Sequence, residues 1–275
     1  MKVVFGSVVY NQAKKYLPEF FISIEKMINK EFSVTLINDD INPFELEEML
    51  SSYSFQVKVI KMENKTPIQL RIELLRRAKL EETDLLILGD CDDTFSNTRI
   101  GNTIQTYINY PGAAFFYNQL INNCNIELMP IFPEHIYSFK EIGQYNFLGL
   151  SNTALNMKKI SIGFINSLEE FCYEIFDWYL FSRLLLEGMF GKKVKECYTI
   201  YRLHENNIVG IQEFNGDNIK HEIEVKQKHY ESLKKYDSYY KIKYEQYKNQ
   251  KEYQYLDKEK KYFWWNLITV SNEKV

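Results

Sequence analysis

Apolar runs and helix-spaced apolar stripes alternate along the first third of the chain. Residues 2–9 form a continuous apolar run, the pattern of a strand buried on both faces. Over residues 15–29, Leu17, Phe20, Phe21, Ile24, Met27 and Ile28 recur at helical spacing. A second strand is predicted over 32–37, a short helix over 43–51, a third strand over 55–60, a helix over 67–79 and a fourth strand over 84–88. Pro43 and Pro67 open the two later helices, where a missing N–H costs little. This alternation predicts an α/β fold with βαβ units and a mostly parallel central sheet, helices lying on both faces. Ligands of such sheets bind beyond the carboxyl ends of the strands. Three polar clusters fall there: Tyr10-Asn11, Asn38-Asp39-Asp40, and Asp90-Cys91-Asp92-Asp93.

Later residues are less periodic. The pattern predicts a helix over 97–108, a strand over 113–117, a loop or lid over 118–144 and extended chain over 147–157. A helix in one or two pieces follows over 165–187, then one or two short strands over 195–204. From residue 217 the composition changes. Residues 217–275 hold 13 Lys and 10 Asp or Glu, a net of +3, which leaves the rest of the chain at −6. Tyr236, Tyr240, Tyr244 and Tyr247 share one helical face. The prediction is a Tyr- and Lys-rich helical C-terminal extension over 215–275, ending in Tyr262-Phe263-Trp264-Trp265. Its aromatic stripe reads as a packing face over the rest of the chain or as a joint between two copies. With the terminal Lys and Trp residues it also reads as a contact with an anionic membrane surface.

Composition removes several classes. With 275 residues, 45% of them apolar, the chain can bury a large core. A formal net charge of −3 lacks the basic footprint of a nucleic-acid binder. Cys91, Cys124, Cys172 and Cys197 are widely spaced, which fits reduced thiols in a cytoplasmic protein rather than a disulfide framework or a zinc site. The N-terminal run is broken by Gly6, Ser7 and Asn11 and reads as a strand, not a signal peptide. No run of 18 apolar residues predicts a membrane span. His135, His221 and His229 belong to no pattern and are expected at the surface, as are Arg76 and Arg77 on the 67–79 helix.

The chemistry concentrates in the acidic cluster. Three carboxylates this close repel one another unless a cation or hydrogen-bond donors compensate. Hard Mg²⁺ or Mn²⁺ suits oxygen ligands, and takes one or two carboxylates together with substrate phosphates. The plainer reading is a solvated acidic turn. Asp39 and Asp40 read equally as caps of the helix near Pro43, and Asp177 as the cap of the helix that follows it. A nucleotidyltransferase would carry a Gly-rich phosphate loop near the N-terminus, whereas residues 6–11 offer one glycine.

Several motifs then occur in a meaningful order. Residues 8–11 read Val-Val-Tyr-Asn and residues 37–40 Ile-Asn-Asp-Asp. Residues 64–71 lead to Arg71, and 90–93 read Asp-Cys-Asp-Asp. Phe176-Asp177-Trp178 is followed by Glu187-Gly188, and residues 201–207 read Tyr-Arg-Leu-His-Glu-Asn-Asn. Over roughly residues 1–210 this series resembles the GT-A glycosyltransferases of family 2. The resemblance implies a Rossmann-like catalytic domain over 1–214, with a nucleotide-sugar half at about 1–95 and an acceptor half at about 96–214. Tyr10 and Asp39 would line the nucleoside pocket, Arg71 would approach the nucleotide, and Asp90 would face the ribose. Asp92 would hold Mn²⁺ or Mg²⁺ on the diphosphate, Asp93 would assist or face the sugar, and His204 would complete the metal shell or touch the diphosphate. Asp177 would be the general base. The implied reaction is inverting transfer from a nucleotide-sugar, UDP-sugar favoured, to a glycan or lipid-linked hydroxyl in polysaccharide assembly. The implied setting is the cytoplasm or the inner face of the membrane. A non-catalytic sugar-nucleotide-binding or interaction protein on the same fold is the alternative. The chain departs from the family pattern at Asp40-Ile41, Ile72 and Phe176, which bears on donor identity.

Overall fold

A computed structural model describes residues 1–128, 132–171, 173, 175–202, 216–249, 253–255, 265–266 and 268–270. The first half is built as the apolar pattern requires. Strands β1 (Val3–Val9), β2 (Ser33–Asn38), β3 (Val57–Lys61) and β4 (Leu85–Leu88) are joined by helices α1 (Leu17–Glu25), α2 (Pro43–Leu50) and α3 (Pro67–Leu80). These four strands are mutually parallel, and β1 lies between β2 and β4. The direction of winding reverses at β1, so the crevice beyond the ends of β1 and β4 is the switch point of the sheet. The predicted 15–29 helix is shorter. A 3-10 turn over Asn11–Tyr16 precedes α1, which starts at Leu17 with Pro18 in its first turn.

The second half follows with β5 (Thr94–Phe95), α4 (Arg99–Asn109), β6 (Phe115–Ile121), β7 (His135–Ile136), β8 (Thr153–Asn156), α5 (Ile162–Ser167), α6 (Phe176–Leu186) and β9 (Gly191–Ile200). The sheet continues from β4 through β8, β6 and β9 to β5, with β7 also on β9. Strand β8 runs antiparallel to both β4 and β6, while β6 and β9 are parallel. The stretch expected to be a loop over 118–144 is partly ordered: β6 extends to Ile121, and a 3-10 turn covers Phe139–Ile142. Over 147–157 only β8 is strand. The residues before it are held by buried Asn152, whose Nδ2 donates to the Asn118 and Phe147 carbonyls and whose Oδ1 accepts from the Gly149 N–H.

Alternation along the strands sends side chains to two cores. Val3, Phe5, Leu85 and Ile87 pack with α1, α2 and α4, while Val4, Leu86 and Ile37 pack with α3, α5 and α6. The second core does not stop at the strands and helices named so far. Helices α7 (Gly216–Leu233) and α8 (Ser238–Asn249) contribute Val225, Tyr230, Leu233, Tyr240 and Tyr247 to it. Tyr240 and Tyr247 of the tyrosine stripe thus turn inward as a packing face, while Tyr236 lies exposed in the turn before α8. The extension is not wholly helical, since β10 (Tyr253–Tyr255) and β11 (Ile268–Val270) pair as an antiparallel ribbon. Two surface expectations are corrected. His229 is 2% exposed and stacks on Trp178, ring centroids 3.8 Å apart, because α7 docks on the start of α6. Arg76 is held by Glu73, Asn166 and Glu169 rather than left in solvent. Cys91 and Cys197 are buried free thiols and Cys124 an exposed one, while Cys172 lies outside the described residues. Among the described residues no helix is long and apolar enough to cross a membrane.

Candidate active site

Backbone bonds tie the three strand ends into one rim. The Asp39 N–H donates to the Val9 carbonyl at 3.0 Å, and the Gly89 N–H to the Gly6 carbonyl at 3.2 Å. Buried Asn38 fixes the β2 turn, accepting from the Ile41 N–H at 3.0 Å and donating to the Ile41 carbonyl at 2.8 Å. Asp40 accepts from the Asn11 N–H at 2.6 Å and so joins the β1 and β2 ends. Helix α2 is capped by Asn42, which leaves neither Asp39 nor Asp40 in that role. Burial, and then the Asp40 charge, raise the Asp39 carboxyl above the usual carboxylate range. Tyr10 is half-buried on the same rim. Its phenol is pushed up by burial and by the charges of Asp92 and Asp90.

The acidic turn hangs from Gly89. A Cβ there would lie 2.5 Å from Cζ of Phe5 and 2.7 Å from Cζ of Phe95, so only glycine lets the chain leave β4 along this path. The turn closes through the Asp93 N–H, which donates to the Asp90 carbonyl at 3.2 Å, and the Asp90 N–H donates to Ser151 Oγ at 3.2 Å. The side chain of Asp90 is 39% open to solvent and Asp92 is half-buried, whereas Asp93 is 1% exposed. The three acids therefore divide: two face the crevice and Asp93 faces the interior. Beneath them sits Arg99, 1% exposed, its Nη2 donating to the Leu88 carbonyl at 2.6 Å and its guanidinium 4.4 Å over the Phe95 ring. Burial draws the Arg99 guanidinium down to about 10, which leaves it cationic at neutral pH. It is the buried countercharge of the turn.

The opposite wall carries Arg71 and Asp177. A capping box of Thr66 and Gln69 starts α3, and one turn on Arg71 Nη2 reaches to 3.8 Å from Asp90 Oδ1. Asp177 lies in the first turn of α6, its Oδ1 accepting from the Trp178 N–H at 2.7 Å. It satisfies a free helix donor from inside the helix, while the N-cap position is Ile175. Trp178 is fully buried and its Nε1 donates to the Ile142 carbonyl at 2.6 Å, which pins the start of α6. Burial pushes the Asp177 carboxyl up to about 6, against the pull of the Trp178 N–H and of Arg71 and with a push from Asp90. Burial likewise raises Asp90 to about 6, again opposed by Arg71. One guanidinium is thus felt by both carboxylates.

Tyr10, Arg71, Asp90, Asp92 and Asp177 lie within electrostatic reach of one another at this crevice, while Asp39 stays on the rim beside Val9 and Asp40. Asp93 meets the turn from behind, and His204 lies outside the described residues. Sequence reasoning passed over Arg99 and Arg202. Arg202 lies just past β9, its N–H donating to Asp93 Oδ1 at 2.9 Å and its Nε to the Asp92 carbonyl at 2.8 Å. The signal for Arg202 was its position within the 201–207 motif. For Arg99 there was only a charge on an otherwise uncharged helix. Among the described residues no three His, Cys, Asp or Glu side chains form a cage for a metal. What the turn does offer is carboxylate oxygen in a half-open setting, which fits a hard divalent cation completed by phosphate oxygens.

No family model matches the chain, and no curated protein matches its sequence. Solved structures do match. TarS of S. aureus, residues 1–349 in complex with UDP-GlcNAc, superposes with a TM-score of 0.59 at 14% identity, over 90% of this chain and 72% of TarS 1–349. The mannosyltransferase PcManGT of Pyrobaculum calidifontis, with GDP-Man and Mn2+, gives 0.57 at 10% identity over 85% of this chain and 64% of that one. GalNAc-T7 with UDP, GalNAc and Mn2+ gives 0.54 at 13% identity, over 75% and 44%. The fold is that of the GT-A glycosyltransferases. Within the GT-A fold the crevice described above is the switch-point cleft, at the address where Rossmann-like sheets take their ligands.

Proposed function

We propose that the protein is a glycosyltransferase that moves a sugar from a nucleoside diphosphate donor to a hydroxyl acceptor, with inversion. The observation that carries this reading is the pairing, across one crevice, of the acidic turn with a carboxylate raised to about 6. A general base works best with a pKa near the working pH, and burial of Asp177 brings it there. Asp177 takes the proton from the acceptor hydroxyl as its oxygen attacks the anomeric carbon. The bond from that carbon to the diphosphate oxygen breaks through an oxocarbenium-like state, and the nucleoside diphosphate leaves. Attack from the side opposite the leaving group inverts the centre, and a single base serves that geometry.

Charge on the leaving diphosphate has to be met on the other wall. Asp92 would hold the Mn²⁺ or Mg²⁺ that supplies Lewis-acid stabilisation there, and Arg71 would add a fixed positive charge. Tyr10 and Asp39 form the part of the rim assigned to the nucleoside. Asp90 lies between that rim and Arg71, where a ribose would sit. Asp93 acts from behind, by fixing the turn. A uridine nucleotide is favoured, since TarS and GalNAc-T7 are both seen with UDP. The acceptor proposed is a glycan or a lipid-linked sugar in polysaccharide assembly, at the cytoplasm or the inner membrane face.

Calorimetric titration with UDP and with GDP, with and without Mn²⁺, tests the reading. Metal-dependent binding of one nucleotide, lost in Asp92→Ala and retained in Asp177→Asn, is the expected outcome. Absence of binding to either nucleotide would overturn the proposal.

A further inference from the structure

The acidic turn is held by a residue 109 positions away in sequence, and the register of two strands explains how. Strand β5 pairs antiparallel with β9, Thr94 opposite Ile200 and Phe95 opposite Thr199. Carried two residues further, that register sets Arg202 opposite Asp92. The arginine then reaches both the acidic turn and the start of α1. Its backbone N–H donates to Asp93 Oδ1 at 2.9 Å, and its Nε donates to the Asp92 carbonyl at 2.8 Å. Its Nη2 donates to Glu19 of α1, and the guanidinium carbon stands 4.8 Å over the Tyr16 ring. The Arg202 side chain is 17% exposed and Glu19 63% exposed, so the inner end of the arginine is enclosed while its outer anchor lies at the surface.

We infer that Arg202 is a positioning residue that clasps the turn so that the Asp92 carboxylate is presented to a divalent cation. The inference rests on the functional reading above and adds to it a residue that acts through Asp92. Two bonds reach the backbone and side chain of consecutive acids, which removes the freedom of the turn to swing its carboxylates apart. The outer end of the guanidinium, on Glu19 and Tyr16, ties the clasp to the start of α1. Lysine cannot replace it, because a single ammonium cannot bond the Asp92 carbonyl and Glu19 from one planar fork. Partners that orient a metal ligand govern metal affinity almost as strongly as the ligand does.

Full-length Arg202→Met and Arg202→Lys proteins test this with two readouts. The first is hydrogen exchange of residues 90–95 without any ligand. Arg202→Met speeds exchange at the turn while exchange in β1 and β4 stays as in the parent protein. The second is Mn²⁺ titration, followed by the loss of free-ion paramagnetic resonance, with UDP present. Arg202→Met raises the half-saturating Mn²⁺ concentration by about 10-fold or more, Arg202→Lys recovers only part of it, and metal-free UDP affinity is unchanged. Unchanged exchange together with unchanged Mn²⁺ saturation would overturn the clasp. If Arg202→Met does not fold, Glu19→Gln, which loosens only the outer anchor, decides the matter. A rise of about 2-fold in half-saturating Mn²⁺ is expected, and parent-like values would overturn the clasp. If the parent protein binds no UDP with Mn²⁺, the functional reading fails, and the exchange measurement still judges the clasp.

Discussion

Single side chains in the crevice divide by how much water they keep. Asp90 and Asp177 are both raised to about 6, chiefly by burial, and both are opposed by the charge of Arg71. Raised carboxyls favour the folded state at low pH, and that advantage is lost as pH climbs from the ordinary carboxylate range through about 6. Activity runs the other way, since only ionised Asp177 can accept a proton. Transfer is therefore expected to fall as pH drops through about 6, following the Asp177 carboxyl. Because the Asp90 charge pushes Asp177 up, Asp90→Asn should move that limb to lower pH. A pH profile of kcat/KM that is flat between pH 5 and 7, or a limb unmoved in Asp90→Asn, would contradict this. The conspicuous part of the site was legible in sequence because strand-end acids need only the chain order to be placed. Arg99 and Arg202 were not, because their roles depend on which strand the sheet sets beside the turn.

Elements carry the site through packing that tolerates little change. Strand β4 ends at Leu88, and Gly89 must pass between Phe5 and Phe95 before Asp90 can turn into the crevice. Phe5, Phe20 and Phe95 form a tilted and edge-on aromatic group directly behind that point, with centroids 5.2 to 6.0 Å apart. The added Cβ of Gly89→Ala meets ring atoms on rigid side chains, so the strand end or the rings must move. Overpacking of this kind costs about 1–3 kcal/mol. Denaturant unfolding should show that loss, and Mn²⁺-dependent nucleotide binding should weaken with it, because the acidic turn starts at the displaced residue. Parent-like stability and binding together would show that the rings yield freely. The βαβ order was readable from periodicity, and the extended chain expected over 147–157 contains β8, but the place of β8 between β4 and β6 follows from a long-range pairing that no local pattern shows.

At the scale of the molecule, the composition break near residue 217 marks a change of surface rather than a separable unit. The tyrosine stripe showed which side of the helix is apolar, and nothing local to it showed what that side would meet. It meets the helix that bears Asp177. His229 stacks on Trp178, Tyr236 lies under Arg183 with the guanidinium carbon 3.9 Å from its ring, and Phe139 packs on Tyr239 and Tyr240. Both His229 nitrogens are buried without a hydrogen-bond partner among the described residues, and burial holds the imidazole well below its ordinary pKa, so it packs as a neutral ring. Removing residues 216–275 would uncover Trp178 and Ile142, each fully buried, along with Phe171 beside them. A fully buried side chain of this size contributes roughly 1.5–3 kcal/mol, and a domain's whole margin is about 5–15 kcal/mol. The truncated chain is therefore expected to lose cooperative unfolding and near-ultraviolet ellipticity while binding hydrophobic dye. Because Asp177 directly precedes Trp178, nucleotide binding on the β1–β4 side should outlast any transfer activity. A soluble 1–215 protein with a sharp unfolding transition would show instead that residues 1–215 fold without the extension, and that the stacked His229 covers a surface able to stand in water.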